Sequence, residues 1–242
     1  MTRGAAVPET PISIFVNGER VVIGSCSPDA LDAFAIGRLS TEGYLASMTD
    51  VRAVTIQGND NARSVLVELP LPAAQAGEAE RRHRSFNGCG VLHYLECASH
   101  LLNKPRSLGV PEFSQLTELY RKLFEAGEAH RDTGGMHSAA LTDGERLLFV
   151  AHDVGRHNAV DKVIGAAIMS AAVPGSLGLL LTSRISGDIA VKAARAGLSW
   201  AASRSVPTTL ALRIAVSANM PLVGRAAGKD AFVHEPPPDA AS

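Results

Sequence analysis

The sequence has few cysteines and lacks long apolar runs. Its three cysteines, Cys26, Cys89 and Cys97, are an odd number at irregular spacing among 242 residues, which excludes a disulfide framework. The longest apolar run, GSLGLLLT, is too short to cross a membrane. The N-terminal MTRGAAVPETPIS shows no apolar stretch typical of a signal peptide. We therefore expect a cytoplasmic protein without membrane attachment.

The sequence also lacks an excess of positive or negative charge, and it lacks the common nucleotide-binding motifs. The formal net charge is -1, which argues against non-specific binding of nucleic acid because such binding usually needs a clear basic excess. No P-loop occurs, and no Gly-x-Gly-x-x-Gly motif opens a helix. A nucleotide-like ligand would have to be held in another way.

The N-terminal part combines hairpin, helix and strand signals. Asn17-Gly18 separates two β-rich runs and predicts a hairpin. SPDALDAFAIGRLSTEG predicts a helix with Ser27 as N-cap, Pro28 at the first helical position and Gly43 near its end. VRAVTIQ and RSVLVEL are predicted strands.

The C-terminal half alternates helices with short apolar strands, which favours an α/β fold whose sheet is covered on both faces. We predict three portions, unless the chain forms one continuous domain. Residues 8–80 form a hairpin, helix and strand portion, 81–110 a cysteine loop with a helix, and 111–235 an α/β binding portion.

Cys89 lies between two glycines in FNGCGVLHY, just before a predicted helix from Val91. The helix N-terminus and the basic run RRHR upstream are features that lower the pKa of a thiol and produce a reactive thiolate. The alternative is an ordinary surface cysteine close to charge. Cys89, His93, Cys97 and His100 span about 16 Å of helix, too far to gather around one ion, so we expect no metal site.

Three predicted strands run directly into small, polar or cationic residues: LLLT into SRISGD, WAAS into RSVPTT, and PLVG into RAAGK. If the strands are parallel, the three loops share the sheet edge where open α/β sheets bind ligands. They would form a pyrophosphate site, or their polar groups would simply cap helices. The residues concerned are Ser183, Arg184, Ser186, Gly187, Ser203, Arg204, Ser205, Thr208, Gly228 and Lys229.

The densest polar cluster lies in TGGMHSAAL and AHDVGRHNAVDK. Asp153 ends a predicted strand and could cap the next helix. Two interpretations stay open: a buried network that positions two elements, or a site for general acid–base chemistry or for binding a polar ring. The residues concerned are His137, His152, Asp153, Arg156, His157, Asn158, Asp161 and Lys162.

TGGMHSAAL, HDVGRHNAVDKVIG, SRISGDIAVKAARAG and SRSVPTTLA resemble the motifs of the FdhD family, the formate dehydrogenase accessory sulfurtransferases. PISIFVNGERV and SPDALDAFAIGRLSTEGYL resemble that family too, so the similarity covers about Pro8 to His234. The resemblance implies a cytidine-deaminase-like three-layer α/β/α fold with a mixed sheet, without its zinc site, beside an N-terminal α+β portion.

The resemblance also implies a function. A cysteine loop would accept sulfur as a persulfide from a cysteine desulfurase and pass it to the molybdenum of bis(molybdopterin guanine dinucleotide), before formate dehydrogenase receives that cofactor. Cys89 would be the catalytic residue, with Arg184 and Arg204 as secondary cofactor contacts. A homodimer would suit the pseudo-symmetric cofactor. The cofactor-binding residues would be Arg225, Ala226, Ala227, Gly228, Lys229 and Asp230.

Two positions depart from the family pattern. The second cysteine of the usual Cys-x-x-Cys motif is replaced by Leu92, and Arg225 and Lys229 stand where an aromatic residue and an arginine are typical. A single-thiol carrier is chemically feasible. The Leu92 replacement motivates one alternative, a non-catalytic chaperone that only holds the molybdenum cofactor. A deaminase-like zinc hydrolase is a third interpretation, suggested by the fold alone.

Overall fold

The computed structural model describes residues 6–45, 47–70, 108–127 and 134–236. Cys89, Leu92, Cys97 and the helix predicted from Val91 lie outside the described residues. The chain divides into two compact units, and the predicted division into three portions stays a prediction. Unit 1 comprises Met1–His83, Gly127–His137 and Ala151–Ala172, and unit 2 comprises Arg84–Ala126, Ser138–Val150 and Val173–Ser242.

Within the described residues there are five α-helices and ten strands. The helices are α1 Leu31–Thr41, α2 Phe113–Ala126, α3 Arg156–Met169, α4 Gly187–Ala196 and α5 Thr209–Ser217. The first four strands are β1 Thr10–Val16, β2 Glu19–Cys26, β3 Ala53–Asn59 and β4 Ala62–Glu68. The others are β5 His137–Thr142, β6 Leu147–Asp153, β7 Gly178–Leu181, β8 Trp200–Ser203, β9 Leu222–Gly224 and β10 Phe232–His234.

Unit 1 contains a mixed four-stranded sheet in the order β2-β1-β4-β3. β1 and β2 are antiparallel, with Val16 opposite Glu19. Between them Asn17 and Gly18 have φ of 50° and 85°, the left-handed conformations that a two-residue type I′ turn requires. The predicted hairpin is confirmed. β4 pairs with β1 in parallel and with β3 antiparallel. β3 and β4 are the two strands that VRAVTIQ and RSVLVEL predicted.

Helices α1 and α3 pack closely in unit 1 because glycines meet at their contact. A Cβ atom added to Gly37 would overlap the carbonyl oxygen of Asp161, and one added to Gly165 would overlap that of Ala33. Only hydrogen at these positions lets the two backbones approach so closely. The other side of α1 packs on the sheet through Leu31, Phe34, Ala35 and Leu39, against Ile12, Ile14, Val16, Val65 and Val67.

The predicted start of α1 is wrong. The helix begins at Leu31, after Ala30 in the left-handed region, and Ser27 is not its N-cap. Ser27 instead donates its backbone N–H to Asp153 over 3.0 Å, and its hydroxyl accepts from the Val154 N–H over 3.2 Å. The buried Asp153 carboxylate must be hydrogen-bonded, and Ser27 therefore binds Asp153 instead of capping α1.

Unit 2 contains a mixed six-stranded sheet in the order β10-β9-β8-β7-β5-β6. β7, β8 and β9 are parallel neighbours. β5 pairs antiparallel with β7, and β10 pairs antiparallel with β9. The predicted mixed α/β class is confirmed. β10 was not predicted, because three residues are too few to show an alternating pattern.

Both faces of this sheet are covered, since every residue of β7 and β8 is buried. The crossovers β7-α4-β8 and β8-α5-β9 join parallel neighbours, and α4 and α5 pack against each other on one face of the sheet. The other face packs against the buried side of α2. That core contains Leu116, Leu119, Tyr120 and Leu123 of α2 with Ala140, Leu180, Ala202 and Val223 of the strands.

We predict that Gly37→Ala lowers the free energy of unfolding by about 3 kcal/mol, because α1 and α3 must separate to admit the methyl group. Gly24→Ala is the matched control, since a Cβ atom there meets nothing within 4 Å. We expect a change within about 0.5 kcal/mol for the control. Urea unfolding measures both, and equal stability of the two variants would contradict the helix contact.

Candidate functional site

The carboxyl ends of β7, β8 and β9 lie at one edge of the sheet in unit 2, because the three strands are parallel neighbours. The loops that follow them therefore lie side by side, as the sequence predicted. Two of these loops lead into the N-termini of α4 and α5, and the third, 225–231, joins β9 to β10.

The first two loops are joined directly by hydrogen bonds. The Ser203 hydroxyl donates to the carbonyl oxygen of Ser183 over 2.6 Å. Further along, the Thr208 N–H donates to the carbonyl oxygen of Ile185 over 2.9 Å, and Ile185 pairs with Pro207 as an isolated parallel bridge. The two loops thus form one backbone layer beyond the strand ends.

The third loop is joined to the second in the same way. The Arg225 N–H donates to the carbonyl oxygen of Ser205 over 2.6 Å, and the Ala226 N–H donates to that of Ser203 over 2.9 Å. Gly228 closes the loop by donating its N–H to the carbonyl oxygen of Arg225 over 2.9 Å. Hydrogen bonds across all three loops hold their backbones in fixed relative positions.

The hydroxyl groups at this edge have different roles. Thr208 caps α5, since its hydroxyl accepts from the Ala211 N–H over 3.2 Å. The Ser203 hydroxyl accepts from the Ser205 N–H over 2.8 Å, which stabilises the turn. Ser186 precedes α4 but makes no side-chain cap, and its buried Oγ has no hydrogen-bond partner among the described residues. The capping interpretation therefore accounts for Thr208 but not for Ser186.

Three arginines, Arg184, Arg204 and Arg225, are exposed at the starts of the three loops. Within the described part of the chain, none of their guanidinium groups has a carboxylate or another hydrogen-bond acceptor as partner. Arg204 places its guanidinium carbon 5.4 Å from the centre of the Phe124 ring. Uncompensated guanidinium groups at one edge can bind phosphate oxygens, and each can do so through two N–H groups.

The remaining predicted cofactor residues lie in the third loop. In this loop Ala226 is buried and Ala227 is half-buried. Gly228, Lys229 and Asp230 are exposed. Arg225 has φ of 52°, a left-handed conformation that is unfavourable for a residue with a Cβ atom. Strained residues of this kind are frequent at binding sites.

Two aromatic residues of α2 lie at this site, and the sequence analysis did not predict them as site residues. The buried Tyr120 hydroxyl donates to the carbonyl oxygen of Leu181 over 3.1 Å, and burial raises the pKa of Tyr120. Phe124 lies one turn further along the helix. The only sequence signal was an aromatic pair spaced four residues apart on an amphipathic helix, which usually indicates core packing.

The polar cluster of unit 1 favours the structural interpretation. The Asp153 carboxylate lies 2.8 Å from the Lys162 ammonium and accepts from the Gly155 N–H and the Asn158 amide over 2.9 Å each. Lys162 also donates to the Ser27 carbonyl oxygen and to Asp29. A carboxylate so fully bonded is poorly suited to accept a substrate proton.

Other members of the cluster also have structural partners. The buried Asp161 accepts a 2.9 Å hydrogen bond from the Thr41 hydroxyl and joins α3 to α1. His137 is partly buried, and burial together with the nearby Arg156 lowers its pKa, against the opposing effect of Asp153. Asp153 holds the turn before α3, but Gly155 is the N-cap.

Cys26 is buried and inert. Burial, reinforced by the negative charge of Asp153, raises the pKa of its thiol to about 12. At neutral pH the sulfur is therefore protonated and shielded from solvent, unlike the thiolate that sulfur chemistry needs. Cys89, the predicted nucleophile, lies outside the described residues.

In the ranges the structure describes, no group of three or more His, Cys, Asp or Glu side chains is arranged to hold a metal ion. The helices in those ranges are also too short or too polar to span a bilayer.

A family model described as FdhD/NarQ matches residues 7–238, nearly the whole chain. The chain belongs to the FdhD/NarQ family. Proteins named sulfur carrier protein FdhD from Staphylococcus aureus strains MRSA252 and Newman are each 31% identical to it over 220 residues, covering 90% of this chain and 82% of theirs. The predicted family is therefore confirmed.

A solved structure supports the fold. The crystal structure of a formate dehydrogenase accessory protein from Desulfotalea psychrophila matches with a TM-score of 0.74 and 23% identity, covering 95% of this chain and 87% of that one. This likeness supports the mixed α/β architecture described above.

We predict that Cys26 resists alkylation in the native protein at pH 8, because its thiol is buried and protonated. Iodoacetamide treatment followed by peptide mass spectrometry measures the modification of each cysteine. The same treatment in guanidinium chloride is the control and should modify Cys26 fully. Rapid modification of Cys26 in the native protein would show that the site is open.

We predict that Arg225→Gly raises the free energy of unfolding by about 1 kcal/mol, since glycine adopts the left-handed conformation without strain. The same change should weaken binding of inorganic pyrophosphate, because a cationic group is lost. Arg225→Ala is the matched control: it loses the charge but keeps the strain. Titration calorimetry and urea unfolding measure the two effects. Unchanged pyrophosphate binding in both variants would exclude Arg225 from the anion site.

Proposed function

We propose that this protein is a cytoplasmic sulfur carrier of the sulfurtransferase type. Its Cys89 accepts sulfur as a persulfide from a cysteine desulfurase. It then transfers that sulfur to the molybdenum of bis(molybdopterin guanine dinucleotide), the cofactor that formate dehydrogenase needs for activity. The cofactor is the cargo on which the protein acts. Membership of a family whose relatives are named sulfur carrier proteins supports this proposal.

The observation that carries the proposal is the row of arginines at the strand ends. Arg184, Arg204 and Arg225 follow three adjacent parallel strands, on loops that hydrogen bonds hold together. A dinucleotide cofactor has diphosphate groups, which are strong ligands for guanidinium groups. The loop 225–230 supplies Lys229 as a further cation beside them.

The sulfur chemistry requires one reactive thiolate. The Cys89 thiolate attacks the outer sulfur of the donor's persulfide, a new sulfur–sulfur bond forms, and the donor cysteine leaves as its thiolate. The sulfur–sulfur bond of the Cys89 persulfide then breaks, and the terminal sulfur atom binds the metal of the cargo, which must be in its reduced state because it supplies the two electrons that convert this sulfur to sulfide. Cys89 leaves as a thiolate and takes up a proton to become a thiol again. Glycines on both sides of Cys89 suit a thiol that must meet two different partners.

Cys26 does not take part in this chemistry. It is buried, and its thiol is protonated at neutral pH because its pKa is raised to about 12. With Leu92 in place of the second cysteine of the motif, Cys89 acts as the single carrier thiol. A cysteine desulfurase and formate dehydrogenase are the partners, and a homodimer would match the pseudo-symmetric cofactor.

We predict that incubation with a cysteine desulfurase and sulfur-35-labelled cysteine labels Cys89, and that Cys89→Ala removes nearly all protein-bound label. Cys26→Ala is the matched control and should keep the label, because this thiol is buried in the folded protein. Intact-mass spectrometry should show the gain of one sulfur atom, reversed by a reducing agent.

Two outcomes would contradict the proposal. If label never reaches Cys89 while the molybdenum cofactor still binds, the protein is a cofactor chaperone instead. If purified protein contains one zinc ion per chain and hydrolyses a nucleoside, the deaminase-like interpretation replaces both.

A further inference from the structure

We propose that Phe124 is a positioning residue, which holds the Arg204 guanidinium ready to bind a phosphate group of the nucleotide cargo. This inference rests on the proposed function and deepens it, because it assigns a role to a residue outside the three strand-end loops. The supporting observation is the Arg204 guanidinium carbon 5.4 Å from the centre of the Phe124 ring.

The backbone of Arg204 is fixed at both ends. Its own N–H donates to the carbonyl oxygen of Leu181 over 2.9 Å. The next N–H, that of Ser205, donates to the Ser203 hydroxyl over 2.8 Å. The side-chain torsions are therefore the main remaining freedom of this arginine, and an unsupported arginine loses substantial rotamer entropy when it binds.

The Phe124 ring is anchored to the same strand end. It lies 6.2 Å from the ring of Tyr120, one helical turn earlier, measured between the ring centres. The Tyr120 hydroxyl donates to the Leu181 carbonyl oxygen over 3.1 Å, and that oxygen also accepts from the Arg204 N–H. One carbonyl group thus fixes both the helix that holds the ring and the backbone of the arginine above it.

The ring contact restricts the guanidinium without using its hydrogen-bond donors. A cation over an aromatic face is held by the ring quadrupole, whereas an ion pair would occupy the N–H groups. Among the described residues, no acceptor binds the Arg204 side chain. Its donors are available for two phosphate oxygens, and the prior restriction of the side chain lowers the entropy lost on binding. Arg184 and Arg225 have no comparable ring contact in the described part of the chain.

The test is a titration of guanosine diphosphate into four proteins: wild type, Phe124→Leu, Phe124→Tyr and Phe113→Leu. Phe124→Leu keeps apolar bulk but removes the ring, and should weaken binding about two- to fivefold. Phe124→Tyr keeps the ring face and should bind like wild type. Phe113→Leu is the matched control on the same helix, 43% exposed, and should also be unchanged.

A double-mutant cycle separates positioning from a merely structural effect. In an Arg204→Ala background, Phe124→Leu should produce no further loss of affinity, because the ring acts through that guanidinium. The same pattern should hold with inorganic pyrophosphate as ligand, since the contact proposed is with phosphate.

The outcomes distinguish this inference from the proposed function. If wild-type protein binds guanosine diphosphate and the two substitutions weaken binding additively, the positioning role of Phe124 is overturned while the cofactor site stands. If wild-type protein binds neither guanosine diphosphate nor pyrophosphate, the proposed cofactor site fails and this inference fails with it.

Discussion

Parallel pairing of β7, β8 and β9 is the constraint on which the candidate site depends. It brings three loops that are about 20 residues apart in the chain to one edge of the sheet. Hydrogen bonds such as that from Ser203 to Ser183 then join the loops to one another. Because the loop backbones satisfy each other, the arginine side chains are not needed to hold the edge together. Their charge is left for a ligand.

The most recognisable motif of the chain has a different role. In HDVGRHNAVDK, the buried Asp153 and Lys162 pair with each other, and Asp161 joins α3 to α1. Removing one partner of a buried ion pair typically costs 3–5 kcal/mol, because the other charge is left uncompensated. These residues therefore stabilise unit 1, and a distinctive motif need not mark the position of the chemistry.

Two arginines of the candidate site are held in different ways. Arg204 is held by its backbone and by the Phe124 ring, whereas Arg225 occupies an unfavourable left-handed conformation at the start of a hairpin loop. The ring contact reduces the freedom of the Arg204 side chain before a ligand arrives, which lowers the entropy lost on binding. The thiol chemistry proposed for Cys89 is supported by the glycines on both sides of it in the sequence, whereas the buried Cys26 is unsuited to such chemistry.

Local signals in the sequence determined much of this architecture. The Asn17-Gly18 turn and the alternation of helices and short apolar strands could be predicted, because each depends on residues close in the chain. The shared edge of the three polar loops was predicted only on the condition that their strands are parallel, and the sheet meets that condition. Other features were decided only by tertiary structure. Ser27 binds Asp153 instead of capping α1, β10 forms because β9 offers a partner, and Phe124 contacts Arg204 although the two residues are far apart in the chain. These contacts join distant segments, and nothing in the local pattern of either segment specifies its partner.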